Sequence, residues 1–240
     1  MKLLLIEGVP GSGKSTTAEA IHNICVASGL DAKWYREEFV DHPIKPRRLR
    51  SESVATNFIE RCIESWARFA TATQQTETLY ILEGSAFQST VRIMMELDYE
   101  SSAIVDYYKT FESVVSDLQP ALIYFRQQHF DEFFAETVRS RDDVFNQKIP
   151  RYLADTPYCL KRRLSGLNGM SAFWRDYRDL CDELVVHARI PVKVIDNSAR
   201  DWEAYMREAL AFVVSRNVTL NVPERLHIVP RHYCLPQLQT

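Results

Sequence analysis

Glycine is scarce in this 240-residue chain: there are 7, and Gly8, Gly11 and Gly13 crowd into one short stretch. Cysteine is scarce and scattered. Cys25, Cys62, Cys159, Cys181 and Cys234 form no CxxC pair, which excludes a zinc ribbon or a disulfide framework and fits reduced thiols in a cytoplasmic protein. Neither sign of charge dominates. With 29 Lys and Arg against 32 Asp and Glu the net charge is −3, so composition makes no case for nucleic acid as a partner. Long apolar runs are missing too. No stretch approaches the roughly 20 apolar residues of a membrane span. The run Leu3–Ile6 is cut by Glu7, too soon for an export signal. There is no internal repeat and no low-complexity segment.

What is present is an alternation of short apolar runs with longer helical periods. Leu3–Ile6, Ala32–Arg36, Leu79–Leu82, Ala121–Phe125 and Pro191–Ile195 read as strands. Ser15–Ser28, Glu52–Thr73, Ser89–Leu97, Ser101–Leu118, Asp131–Arg139, Ser171–His187 and Asp201–Ser215 read as helices. Strands alternating with helices predict an α/β fold: a five-stranded parallel sheet between two helical layers, with ligands bound at the strands' carboxyl edge. Periodicity is poor from Ser140 to Gly169, where Pro150, Pro157, Gly166 and Gly169 fall. That stretch reads as an irregular lid or insert, about 139–169, within a domain spanning 1–215. Residues 216–240, with Pro223, Pro230 and Pro236, read as a carboxyl-terminal extension.

The crowded glycines answer to one motif. Gly8-Val9-Pro10-Gly11-Ser12-Gly13-Lys14-Ser15 matches G-x-x-x-x-G-K-[ST] in full, with a strand before it and a helix after it. Glycines let the backbone wrap an anion, and a helix amino terminus then points its N–H groups at that anion. The expected ligand is ATP with Mg²⁺, held by Gly8 through Thr16. Lys14 would neutralise phosphate charge and Ser15 would ligate the metal. A GTPase's guanine reader is lacking, since Asn146-Gln147-Lys148-Ile149 has no aspartate. Leu164-Ser165-Gly166-Leu167-Asn168 lacks the second glycine of an ABC signature.

Further segments resemble one group of P-loop NTPases. Ile6-Glu7-Gly8 is similar to the opening of thymidylate and deoxynucleoside kinases. Trp34-Tyr35-Arg36-Glu37-Glu38 resembles the second-strand ending in that group. Leu82-Glu83-Gly84-Ser85 resembles its E-R-S, and Val192–Ser198 resembles the segment beside the adenine. The chain departs from the pattern in having no proline after Glu38 and in placing Gly84 where the group has arginine, so acceptor identity does not carry over. The resemblance implies phosphoryl transfer from MgATP to a small-molecule acceptor. It implies that a second-strand carboxylate, Glu37 or Glu38, receives the proton of the attacking hydroxyl. It also implies a lid with arginines, for which Arg139 and Arg141 stand. In such kinases the second and fourth helices often pair two subunits, so a homodimer is among the expectations.

Each assignment has a plainer alternative. Glu37 and Glu38 are also what a solvated strand end looks like. Glu83, a candidate for metal or acceptor, is equally a buried ion-pair member. Arg139 and Arg141 suit a helix carboxyl terminus, and Lys161-Arg162-Arg163 suits a charged surface. Asp196 reads as a cap for the following helix. Arg47, Arg48 and Arg50 either decorate a helix start or bind an acidic or already phosphorylated acceptor, and the unfavourable helix dipole there leans toward the second. Trp34, Tyr35, Phe39, Phe58, Trp66 and Phe87 offer either stacking surfaces or core, and the Gln88 amide can read a polar group of the acceptor. Two other activities fit the same motif: a nucleotide-driven switch acting on a protein partner, and a nucleic-acid end kinase.

Overall fold

The computed structural model describes residues 1–37, 39, 41–44, 57–198 and 201–223. Its sheet is built from β1 (Leu3–Gly8), β2 (Ala32–Tyr35), β3 (Leu79–Glu83), β4 (Ala121–Arg126) and β5 (Val192–Asp196). All neighbours pair in parallel, in the order β2-β3-β1-β4-β5. The five expected strands are all present, within a residue or two of their expected bounds.

β1 is buried along its whole length, as a central parallel strand must be. Its side chains alternate between two cores. Leu3 and Leu5 join Trp66, Phe111 and Phe173 on one face, and Leu4 and Ile6 join Ile21, Ala209 and Val213 on the other. Helices therefore cover both faces. The first core is closed by α2 (Phe58–Thr73), α4 (Ser101–Val114) and α8 (Gly166–Val186), and the second by α1 (Lys14–Ala27) and α9 (Trp202–Ser215). In α2 the buried residues Phe58, Cys62, Trp66, Phe69 and Thr73 recur at helical spacing.

β3 leads into a π-helical turn, Phe87–Val91, that continues as the short α3 (Arg92–Glu96). The helix expected over Ser89–Leu97 thus starts earlier and begins underwound.

The stretch 140–169 is not irregular. It forms α6 (Asp143–Ala154) and α7 (Pro157–Arg162) after α5 (Phe130–Ser140), then enters α8 at Gly166. The prolines hid a helical period: Phe145, Ile149 and Leu153 are four apart, with Phe145 and Leu153 buried in the first core and Ile149 packed against it. Pro157 opens α7 at a position where its missing N–H costs nothing, behind the Thr156 cap.

Past α9, residues 217–223 adopt neither helix nor strand, and Val218 is buried in the second core. The rest of the expected extension, 224–240, lies outside the described residues, and so does Cys234. The other four cysteines are buried and unpaired. No helix among the described residues is long and apolar enough to cross a membrane.

Candidate active site

From β1 the chain crosses toward β2, and from β4 it turns the other way to β5. The two strands are neighbours, so a crevice opens beyond their carboxyl ends. The glycine loop, residues 8–13, fills its floor and delivers the chain into α1. Gly13 stands just before α1 with φ 93°, and the Trp202 ring occupies the place where a Cβ would sit. Only glycine meets both conditions. No side chain caps α1 and no acidic residue lies in its first turn. No side-chain cap thus serves its leading N–H groups.

Two distant elements pin the loop from behind. Asn197, buried beyond β5, donates from Nδ2 to the Ser12 carbonyl, and its Oδ1 accepts from Gln127 Nε2 at the end of β4. Arg178 of α8 in turn donates to the Gln127 carbonyl at 2.8 Å. Asp196 does not cap a helix. It accepts from the Ser198 N–H at 3.0 Å, while the α9 cap is Asp201, which accepts from Ala204 N–H.

Lys14 is buried and folds back over the loop, donating to the Val9 carbonyl at 3.1 Å. Burial holds its pKa below the usual lysine value. The carboxylates of Glu83, Glu37 and Glu7 oppose that shift, and the charge of Arg141 adds to it. Ser15 donates its hydroxyl to Glu83, so the first turn of α1 and the end of β3 are joined at this point. Glu7, also fully buried, accepts from the N–H of Ala86 at 2.6 Å and so holds the start of the π-helical turn. Burial pushes its carboxyl up to about 8, against the pull of those backbone donors and of Lys14.

On the β2 side, Glu37 accepts from Gln88 Nε2 at 2.5 Å. Its carboxylate comes within 3.4 Å of where a Cβ on Gly84 would stand, and Lys14 Cε within 3.7 Å. Gly84 has φ 63°, and its N–H donates to the Ile6 carbonyl at 3.0 Å. The residue that departs from the kinase pattern is thus a left-handed turn with Glu37 and Lys14 gathered over it. Arg92 follows one helical turn after Gln88, donates to the Gln88 carbonyl at 2.9 Å and pairs with Glu96.

The expected site residues divide accordingly. Gly8 through Thr16, Lys14, Ser15, Glu37 and Glu83 converge on the crevice. Arg141, at the joint of α5 and α6, is close enough for its charge to act on Lys14. Arg139 is exposed in the last turn of α5. Glu38 and the cluster Arg47, Arg48 and Arg50 lie outside the described residues. Lys161 and Arg162 both pair with Asp98 at 2.6 Å, so they tie α7 to the turn after α3. Phe58, Trp66 and Phe87 belong to the core.

Sequence reasoning did not single out Glu7, Arg92, Glu96, Asn197 or Gln127 as site residues. For Glu7 a signal existed: a carboxylate inside an otherwise apolar strand. For Arg92 and Glu96 the only signal is an i,i+4 pair of opposite charge. Asn197 carried only its place in the segment Val192–Ser198, which says nothing of its bond to Ser12. Comparison with models of known families and with curated proteins finds no match to this chain.

Proposed function

We propose that this chain is a P-loop kinase that transfers the γ-phosphoryl group of MgATP to a small-molecule acceptor bearing a hydroxyl or phosphate. One observation carries the reading: the uncapped amino end of α1 meets a buried lysine and the Ser15–Glu83 pair at the crevice of a parallel sheet. The residues present suit a polyphosphate with its metal. A helix terminus with free N–H groups takes an anion, and a hydroxyl beside a carboxylate offers the hard oxygen donors that Mg²⁺ prefers. When bound, the metal supplies charge neutralisation at the phosphate oxygens.

The chain's own groups have distinct parts. Lys14 exchanges its bond to the Val9 carbonyl for phosphate oxygens, a step helped by the buried setting, where the attraction between a cation and an anion is stronger than in water. Ser15 and Glu83 would hold the metal. Glu37, oriented by Gln88, receives the proton of an acceptor hydroxyl, and Arg141 approaches the transferred group from the lid side. The mild overall charge supports a small acceptor over nucleic acid.

The test is a thermal-shift series with a non-hydrolysable ATP analogue and Mg²⁺, followed by turnover against nucleosides, nucleotides, sugars and aminoglycosides. Wild-type protein is expected to be stabilised by the analogue, Lys14→Ala to fold with an unchanged circular-dichroism spectrum and no shift, and chelation of Mg²⁺ to erase the shift. Turnover with one acceptor class completes the assignment. Nucleotide binding with hydrolysis that no acceptor stimulates would replace it with a nucleotide-driven switch. Full activity in Lys14→Ala would overturn the phosphate site itself.

A further inference from the structure

The site contains a hydrogen-bonded chain that runs from the lid helix to the acceptor-side carboxylate. Tyr152, in the last turn of α6, donates to Glu96 Oε2 at 2.5 Å. The other oxygen of Glu96 pairs with Arg92 Nη1. Arg92 Nε donates to the Gln88 carbonyl at 2.9 Å, and Gln88 Nε2 donates to Glu37 Oε2 at 2.5 Å. Glu37 accepts only, so the Gln88 amide is fixed with its NH₂ toward the carboxylate.

This chain is expensive to bury. The Glu96 side chain is 1% exposed and that of Arg92 18%. A buried ion pair of this kind is weak as a stabiliser, since an apolar pair of similar volume commonly serves as well. It is tolerable only when the partners are satisfied together, and Tyr152 and the Gln88 carbonyl contribute to that. The Arg92 cation also lies in the field of Glu37 as well as of Glu96. The far end of the same lid helix adjoins Arg141, whose joint is secured by Asn146 Nδ2 donating to the Val138 carbonyl at 2.9 Å. One helix of 12 residues, about 18 Å long, thus connects the Lys14 side of the site with the acceptor side.

We propose that Arg92, Glu96 and Tyr152 are positioning residues that make the orientation of Glu37 depend on the seating of helix α6. The proposal rests on the kinase reading, because it gives Glu37 the acceptor's proton. When α6 is seated, Tyr152 holds Glu96, Glu96 holds Arg92, and Arg92 fixes the turn that presents Gln88 to Glu37. Breaking the Tyr152–Glu96 bond frees one end of this chain, and the acceptor carboxylate loses part of its brace. Arginine at 92 is specified because one guanidinium reaches Gln88 and Glu96 together in a fixed fork, which a lysine ammonium cannot do.

The experiment compares wild type, Tyr152→Phe, Arg92→Lys and the double variant in the full-length chain. It measures the thermal shift with the Mg²⁺–ATP analogue, then kcat and KM for MgATP with water or the best panel compound as acceptor. Each single variant is expected to keep the analogue shift and a KM within about twofold while kcat falls about tenfold. The double variant is expected to be no slower than Arg92→Lys alone, because both changes break one chain. Unchanged kcat in Tyr152→Phe, or losses that multiply in the double variant, would overturn the relay while leaving the kinase reading intact. Absence of any analogue shift in wild type would remove the kinase reading, and the relay with it.

Discussion

Asn197 donates its side-chain amide to the main-chain carbonyl of Ser12, joining the turn after β5 to the middle of the glycine loop. The bond is buried, and Gln127 fixes the amide from the other side. Asn197→Ala leaves the Ser12 carbonyl and the Gln127 amide without this partner, at a cost of about 2 kcal/mol. Asn197→Asp is expected to be worse, since it sets a carboxylate oxygen against a carbonyl oxygen. Urea unfolding of the three proteins checks the order. An aspartate variant as stable as wild type would refute it.

Gly13 is held between a backbone φ of 93° and the ring of Trp202. Gly13→Ala is expected to destabilise by on the order of 3 kcal/mol, from backbone strain and overpacking together. Adding Trp202→Ala relieves only the contact. The double variant should therefore recover part of the loss seen against Trp202→Ala alone, with the strain of φ remaining. Full recovery would mean that the backbone conformation carries no cost.

His42 is buried and neutral. Its Nε2 lies 2.9 Å from Ser85 Oγ, and its Nδ1 lies 2.9 Å from the Ile44 carbonyl and 3.1 Å from the Ile44 N–H. Burial pushes its pKa down to about 4, against roughly 6.5 in an unfolded chain. Between those values the unfolded state binds a proton that the folded state refuses. Stability therefore falls as pH drops from about 6.5 toward 4, by on the order of 2 to 3 kcal/mol from this residue. Comparing unfolding free energies of wild type and His42→Gln at pH 7 and pH 4.5 isolates it: the wild type should lose more. Parallel losses would place the sensitivity elsewhere.

Arg139 and Arg141, the two arginines expected of a lid, separate in the fold. Arg141 acts on Lys14 through its charge, whereas Arg139 is exposed in the last turn of α5. On the kinase reading, Arg141→Ala is expected to lower kcat about 100-fold, and Arg139→Ala to change it by less than about threefold. Steady-state turnover of both variants decides between them. Equal losses would overturn this division of roles.

Much of this architecture was legible in the residues because it is written locally. Apolar runs of strand length, helical spacing such as Phe58–Cys62–Trp66, and the glycine motif each depend on neighbours a few positions apart. Pro150 and Pro157 obscured α6 and α7, although Phe145, Ile149 and Leu153 kept the period. Glu37 and Glu83 were legible as strand-end carboxylates, but their partners were not.

The sequence by itself determined the elements, their alternation and the loop that can wrap an anion, since backbone propensity and side-chain period act over one or two turns of chain. Only the tertiary structure decided that Asn197 braces Ser12, 185 positions away, that Tyr152 reaches Glu96 across 56, and that the left-handed turn at Gly84 lies beside Glu37 and Lys14. Such bonds join single side chains from elements that meet only after the sheet has formed. They recur with no period, so nothing local announces them.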